Sequence, residues 1–157
     1  MIKLKPIGIV RNAISEAHRD TRWKEIESEI EIDAEWRDAL DGIEQFSHLW
    51  VVSYLDCMPA PRWNARGLRP DALHVHPTRD ARLPLVGIFA TRSPQRPNPI
   101  GICAVELLEV RGTVLRVRGL DALNGTPVLD IKPYLARRDA IANTRVGEWV
   151  KQLDARG

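Results

Sequence analysis

Short strand-like segments recur about every ten residues along this chain, and that spacing, with few helix signals, favours a barrel or a sandwich over a βαβ fold. Residues 6–10 (PIGIV) read as a first strand. Residues 27–32, with Ile26, Ile30 and Ile32, alternate as a second, and residues 46–55 form a β-rich third. Further strands are expected at 85–91, 100–110, 114–118 and 127–132, with a hairpin turn at Arg111-Gly112-Thr113. Helix signals are few. Asp33 is placed to cap a short helix over 33–40, stopped near Gly42. Residues 144–153 are amphipathic, with Val146, Trp149, Val150 and Leu153 on one face. Neither GxGxxG nor GxxxxGK[ST] occurs, so a nucleotide-like ligand has to be held by something other than a dinucleotide fold or a P-loop.

The 157 residues fit one domain, with a core over about 6–134 and a helical tail over 144–155. Hydrophobic residues make up 44% and net charge is +2, ordinary values for a globular chain. Arg dominates the basic residues, which permits a local basic face without requiring one. Cys57 and Cys103 form no metal-binding pattern, so no metal is expected, and Cys103 reads as a small buried hydrophobe. With no disulfide signature, apolar leader or membrane-length run, a cytoplasmic location is expected. Residues 58–82 are the least regular stretch, with several prolines and a possible short strand near 73–75. Arg62, Arg66, Arg69, Arg79 and Arg82 surround Trp63 there, a composition suited either to RNA or to a solvated loop.

Two segments carry most of the chemistry. Residues 87–101 (GIFATRSPQRPNPIG) run from a strand into a loop stiffened by three prolines and back into a strand. Such a loop is a platform for Arg92 and Arg96, with Thr91, Ser93 and Asn98 as neutral polar neighbours. Residues 119–134 (GLDALNGTPVLDIKPY) turn at Asn124-Gly125 and enter a strand. Strict alternation puts Val128, Asp130 and Lys132 on one face and Leu129 and Ile131 on the other. Asp130 and Lys132 then form either a plain ion pair or a reactive pair. His48, inside an apolar strand, reads as a satisfied core histidine.

FATRSPQRPNPIG at 89–101 and GTPVLDIKPY at 125–134 strongly resemble the TsaA-like family, the tRNA N6-threonylcarbamoyladenosine methyltransferases. PIGIVR at 6–11 and FSHLW at 46–50 resemble the same family, so the likeness spans about 6–134. It implies a small single β-barrel with short peripheral helices and a C-terminal helix. It also implies a homodimer with S-adenosylmethionine near the subunit interface, and methyl transfer to N6 of a threonylcarbamoylated adenosine beside the anticodon of tRNA. The chain departs from the pattern in two places. It carries Arg19-Asp20-Thr21-Arg22-Trp23 where active members have Pro-Arg-Gln, and Asp56 where they have His. A methyltransferase for another nucleoside or small molecule, or a non-catalytic binding module, is the alternative reading.

The resemblance and the chemistry together assign roles. Arg92 takes the cofactor carboxylate as a bidentate partner. Phe89, Ala90, Ile100 and Ile102, with Leu123, Asn124 and Gly125, cup the adenosine. Asp121 or Asp56 accepts from the ribose hydroxyls or the amino group, and Trp23 covers the site or sits in the core. Arg96, Asn98 and Lys132 face the substrate. A carbamoylated N6 is a weak nucleophile, so a general base is expected, with Asp130 first and Tyr134 second.

Overall fold

The computed structural model describes residues 2–16, 21–55, 63–64, 67–68 and 73–155. Arg19, Asp20, Asp56, Cys57, Arg62, Arg66, Arg69 and the side chain of Trp63 lie outside the described residues. The chain divides into two compact units, residues 1–57 with 100–136, and residues 58–99 with 137–157.

The first unit is a closed antiparallel barrel. Its strands are β1 (Gly8–Arg11), β2 (Glu27–Ile32), β3 (His48–Tyr54), β8 (Ile100–Arg111), β9 (Val114–Arg118) and β10 (Pro127–Pro133), in spatial order β1-β10-β3-β8-β9-β2. Alternation drives the closure. Ser28, Ile30 and Ile32 of β2, Leu49, Val51 and Ser53 of β3, and Leu115 and Val117 of β9 point inward and are buried. Val10, Val105, Leu120, Ala122 and Val128 complete the core. Each fully buried aliphatic side chain contributes roughly 1.5–3 kcal/mol. Gly8 is required by close approach: a Cβ there would meet the Glu31 carbonyl oxygen at 2.3 Å.

Three expectations are corrected. The segment Ala34–Leu40 is a 3₁₀ stretch, not an α-helix, held by i→i+3 bonds such as Trp36 N–H to the Asp33 carbonyl. Asp33 occupies the cap position but its side chain makes no capping bond. In β10, the register against β3 shifts between Val128 and Asp130, so Leu129 is an extra residue. That bulge breaks the alternation: Val128 is buried and Ile131 packs on the core, while Asp130 and Lys132 face out without Val128.

The second unit contains β4 (Trp63–Asn64) paired with β5 (Gly67–Leu68), and β6 (His74–Val75) paired with β7 (Val86–Gly87). The strand expected over 85–91 is therefore two residues long. It gives way to a 3₁₀ turn, Ile88–Ala90, because Ile88 is drawn into the unit's interior and its carbonyl accepts from the Thr91 N–H and hydroxyl. Short helices α1 (Ala136–Asp139) and α2 (Glu148–Asp154) follow. Helix α2 starts at Glu148 with Gly147 at the cap position, later than the amphipathic pattern suggests, and Trp149 Nε1 donates to the Ala90 carbonyl at 3.2 Å. Among the described residues, no helix is long and apolar enough to cross a membrane.

Candidate functional site

In an antiparallel barrel the ends of β1, β3 and β9 and the starts of β2, β8 and β10 share one rim. That rim gathers the 3₁₀ turn Trp23–Glu25, Ile100, and the loop carrying Asp121, Leu123, Asn124 and Gly125. The loop is hung on Asn12, which the sequence reading missed. Asn12 Nδ2 donates to Ser28 Oγ (3.0 Å) and to the Ala122 carbonyl (2.9 Å), and its Oδ1 accepts from the Ile14 N–H. The Asn12 N–H in turn donates to Asn124 Oδ1, and the Asn124 N–H to the Ile14 carbonyl. Gly125 turns the chain at φ +86°, a conformation glycine adopts without strain, and donates to the Val10 carbonyl. Asn124 thus spends its side-chain oxygen on the loop itself. No sequence signal marks Asn12, because its partners lie up to 112 residues away.

Asp121 stands differently. It is exposed by surface area and makes no hydrogen bond or ion pair among the described residues, and partial desolvation alone raises its pKa above the ordinary 3.8. A carboxylate held partly out of water with no donor of its own is suited to a ligand hydroxyl or ammonium. Trp23 is half-buried in its turn, and the backbone of the next residue, Lys24, runs beside Gly119 after β9.

The outer face of β8-β3-β10 is ordered in rows. Ile100 pairs with Tyr54; Ile102, Val52 and Asp130 form the next row; Ala104, Trp50 and Lys132 the next; Glu106 and His48 the last, beside Tyr134. Ile100, Ile102 and Tyr54 are exposed. Asp130 Oδ2 and Lys132 Nζ are 2.6 Å apart, both partly exposed, and Asp130 Oδ1 accepts from the Ile131 N–H. His48 is not a core residue: the inward set on β3 is Leu49, Val51 and Ser53, so His48 points out. Its Nδ1 lies 2.9 Å from Ser47 Oγ. Its ring is 6.4 Å from that of Tyr134, which is 5.5 Å from Trp50. Six residues of β3 separate His48 from Tyr54, about 20 Å at strand rise, so Tyr134 sits far from the rim and Asp130 near it.

The other face carries paired charge. Arg11 pairs with Glu31, Arg116 and Arg118 with Glu27, Arg118 with Glu106, and Arg111 with Glu109. The hydrogen bonds from Arg116 and then Arg118 hold the Glu27 carboxyl below its ordinary range. These arginines are spent within the barrel wall. Arg82 is likewise taken by Asp80, at 2.7 Å.

In the second unit, the loop after β7 carries Phe89, Ala90, Arg92, Arg96 and Asn98. Arg92 is exposed and makes no hydrogen bond or ion pair among the described residues. Arg96 is the opposite case: its Nη1 donates to the carbonyls of Ile88 (3.2 Å), Thr91 (2.8 Å) and Ser93 (3.3 Å). Asn98 is exposed, and Phe89 more so. Among the described residues no group of His, Cys, Asp and Glu is arranged to hold a metal ion.

The tRNA-methyltransferase O N-terminal domain family matches residues 15–140. A probable S-adenosyl-L-methionine-binding protein of Archaeoglobus fulgidus is 44% identical over 157 residues, covering 98% of this chain and 39% of its own length. The tRNA (adenine(37)-N6)-methyltransferase of Escherichia coli is 37% identical over 143 residues, covering 85% of this chain and 57% of its own length. This chain therefore spans well under two thirds of these two relatives. The crystal structure of TrmO from Pseudomonas aeruginosa superposes with a TM-score of 0.71 at 30% identity, covering 94% of this chain and 62% of that one.

Proposed function

The chain belongs to the family of the tRNA-methyltransferase O N-terminal domain, and from that membership we propose an S-adenosylmethionine-dependent N6-methyltransferase of the adenosine beside the tRNA anticodon, in its threonylcarbamoylated form. The family match carries the reading, and the residues present fit the cofactor. Arg92 offers an unpaired guanidinium for a carboxylate, and Asp121 an unpartnered carboxylate for ribose hydroxyls or an ammonium. Ile100, Ile102, Leu123, Asn124 and Gly125, with Trp23, offer apolar and backbone surface at the barrel rim for the adenosine. On the second unit, taken by itself, Phe89 and Ala90 offer apolar surface for a base, and Asp56 is a further candidate acceptor.

When bound, S-adenosylmethionine supplies an electrophilic methyl group on sulfonium sulfur. The chain's own contribution is alignment and one proton. Lys132 exchanges Asp130 for the carboxylate of the modified base. An exposed ion pair is worth only about 0.2–1 kcal/mol, so the exchange costs little. Asp130, released, would take the N6 proton at Oδ2 with the cofactor bound. Tyr134 is the second candidate for that proton. With Trp50 and His48 it supplies aromatic surface for RNA, and Asn98 supplies polar contacts. The exposed apolar row of Tyr54, Ile100 and Ile102 is proposed to seat a second copy of the chain, which puts the rim near a dimer interface. The chain acts as one functional domain in this reading, in the cytoplasm where tRNA is modified.

The test is transfer of a labelled methyl group to threonylcarbamoylated and unmodified tRNA, with mass spectrometry of the digested nucleosides. Methyl on N6 of the threonylcarbamoylated base is expected. Methylation of the unmodified tRNA alone, or of another nucleoside, replaces the substrate. Cofactor binding with no transfer to any tRNA leaves a binding module, a reading favoured by the engagement of both Asp130 oxygens.

A further inference from the structure

The three prolines after Arg92 lock a short loop, and hydrogen bonds lock it further. Thr91 Oγ1 donates to the Ile88 carbonyl and accepts from the Ser93 N–H, and Ser93 Oγ accepts from the Gln95 N–H. Arg96 folds back into this frame. One of its terminal nitrogens serves three carbonyls, so the guanidinium is fixed and half-buried. Its Cζ lies 5.6 Å from the centroid of the Phe89 ring. The Phe89 residue is 77% exposed, though it follows Ile88, which is 2% exposed. Single exposed apolar residues are common on proteins. What distinguishes this one is that its ring is backed by a fixed cation within cation–π range on a proline-stiffened turn.

We infer that Phe89, backed by Arg96, is a stacking platform for a purine. The inference rests on the methyltransferase reading, whose ligands both carry purines. Arg96 acts through Phe89 and is a positioning residue. A guanidinium under one face draws electron density from the ring, which favours an electron-rich heterocycle and opposes a second cation on the other face. The platform therefore takes the flat base and not the sulfonium or ammonium end of the cofactor. Two sources share this chemistry, the cofactor's adenine and a nucleobase of the RNA.

The experiment compares wild type with Phe89→Ala, Phe89→Leu and Phe89→Tyr. S-adenosylmethionine is titrated by calorimetry, and a labelled anticodon stem-loop RNA by fluorescence anisotropy. Loss of base stacking weakens binding about ten- to hundredfold. Phe89→Ala and Phe89→Leu lose that much for one probe or both, while Phe89→Tyr stays within about threefold of wild type. A loss confined to S-adenosylmethionine names the cofactor's adenine, and a loss confined to the stem-loop names an RNA base. Arg96→Gln reproduces a smaller loss for the same probe and leaves the other probe's affinity unchanged when only one is affected. If Phe89→Leu binds both probes as wild type does, the platform is wrong while the function stands. If wild type binds neither probe, the function falls and the platform with it.

Discussion

At the scale of single residues, charge pairing separates those held for the fold from those left for ligands. Arg96 and Arg92 lie in one loop and look alike in sequence, yet Arg96 serves three carbonyls and Arg92 none. Nothing local says which arginine folds back, so that division was not legible beforehand. Arg92→Ala is expected to weaken S-adenosylmethionine about ten- to hundredfold, the worth of a charge-assisted pair, and to leave tRNA affinity nearly unchanged. Titrations with both ligands check it, and the reverse pattern gives Arg92 to the RNA. Asp121 makes a pH prediction. Its raised pKa means that protonation begins above 3.8, and a ligand donor or cation favours the ionised form. Cofactor affinity is therefore expected to begin falling as pH drops through the raised pKa, and Asp121→Asn to flatten that dependence. A dependence unchanged in the variant removes Asp121 from the site. Asp130→Asn keeps size and one acceptor but takes no proton, so single-turnover rate should fall about 10²–10⁴-fold with both ligands still bound. If Asp130 only pairs with Lys132, the rate stays near normal, and the melting temperature records at most the small worth of an exposed pair.

At the scale of elements, the six barrel strands were legible as alternating or β-rich runs, because a half-buried strand needs an inward apolar set. The bulge in β10 was not, since an extra residue against β3 is a property of the pairing and leaves no mark in the strand's own sequence. It decides the site, for it turns Asp130 and Lys132 outward while Val128 and Ile131 stay on the core. The 3₁₀ turn after β7 was likewise hidden, because Ile88 reads equally well as strand or as an anchored turn. Close approach is readable only in three dimensions. Gly8 pairs with Ile32, and a methyl group there meets Glu31 and Ile32 backbone atoms at 2.3 and 2.9 Å. Gly8→Ala forces β1 away from β2, an overpacking cost of about 1–3 kcal/mol or more. A thermal melt is expected to show the midpoint lowered by several degrees, at roughly 2–4 °C per kcal/mol for a chain of this size. An unchanged midpoint means that the two strands separate more easily than their packing implies.

At the scale of the whole barrel, the outer surface is divided. The β1-β2-β9 side is covered by Arg–Glu pairs, which keep water and discourage sheet-to-sheet contact. The β8-β3 side near the rim presents Tyr54, Ile100 and Ile102 with Val52 and Ala104 between them, and no charge interrupts that row before Asp130. A surface so divided has one side fit for solvent and one that gains by being covered, and in the dimer proposed above a second copy would cover it with the same residues on both partners. Ile102→Glu places a carboxylate in the middle of the row and, by two-fold repetition, close to its own copy. It is expected to convert a dimer to a monomer at micromolar concentration, read by light scattering or sedimentation. Arg116→Glu, on the charged side, is the control and should leave the dimer intact while loosening the pairs with Glu27 and Glu109. A variant monomer also tests where the cofactor sits. Ile102 is itself proposed to touch the adenosine, so Tyr54→Glu, at a residue of the row with no cofactor contact, is the probe: if the rim lies against the partner, it breaks the dimer and weakens S-adenosylmethionine, and Arg116→Glu does neither. If both row variants stay dimeric, the apolar row serves something other than self-association. If Tyr54→Glu is monomeric with wild-type cofactor affinity, the rim is complete in one chain.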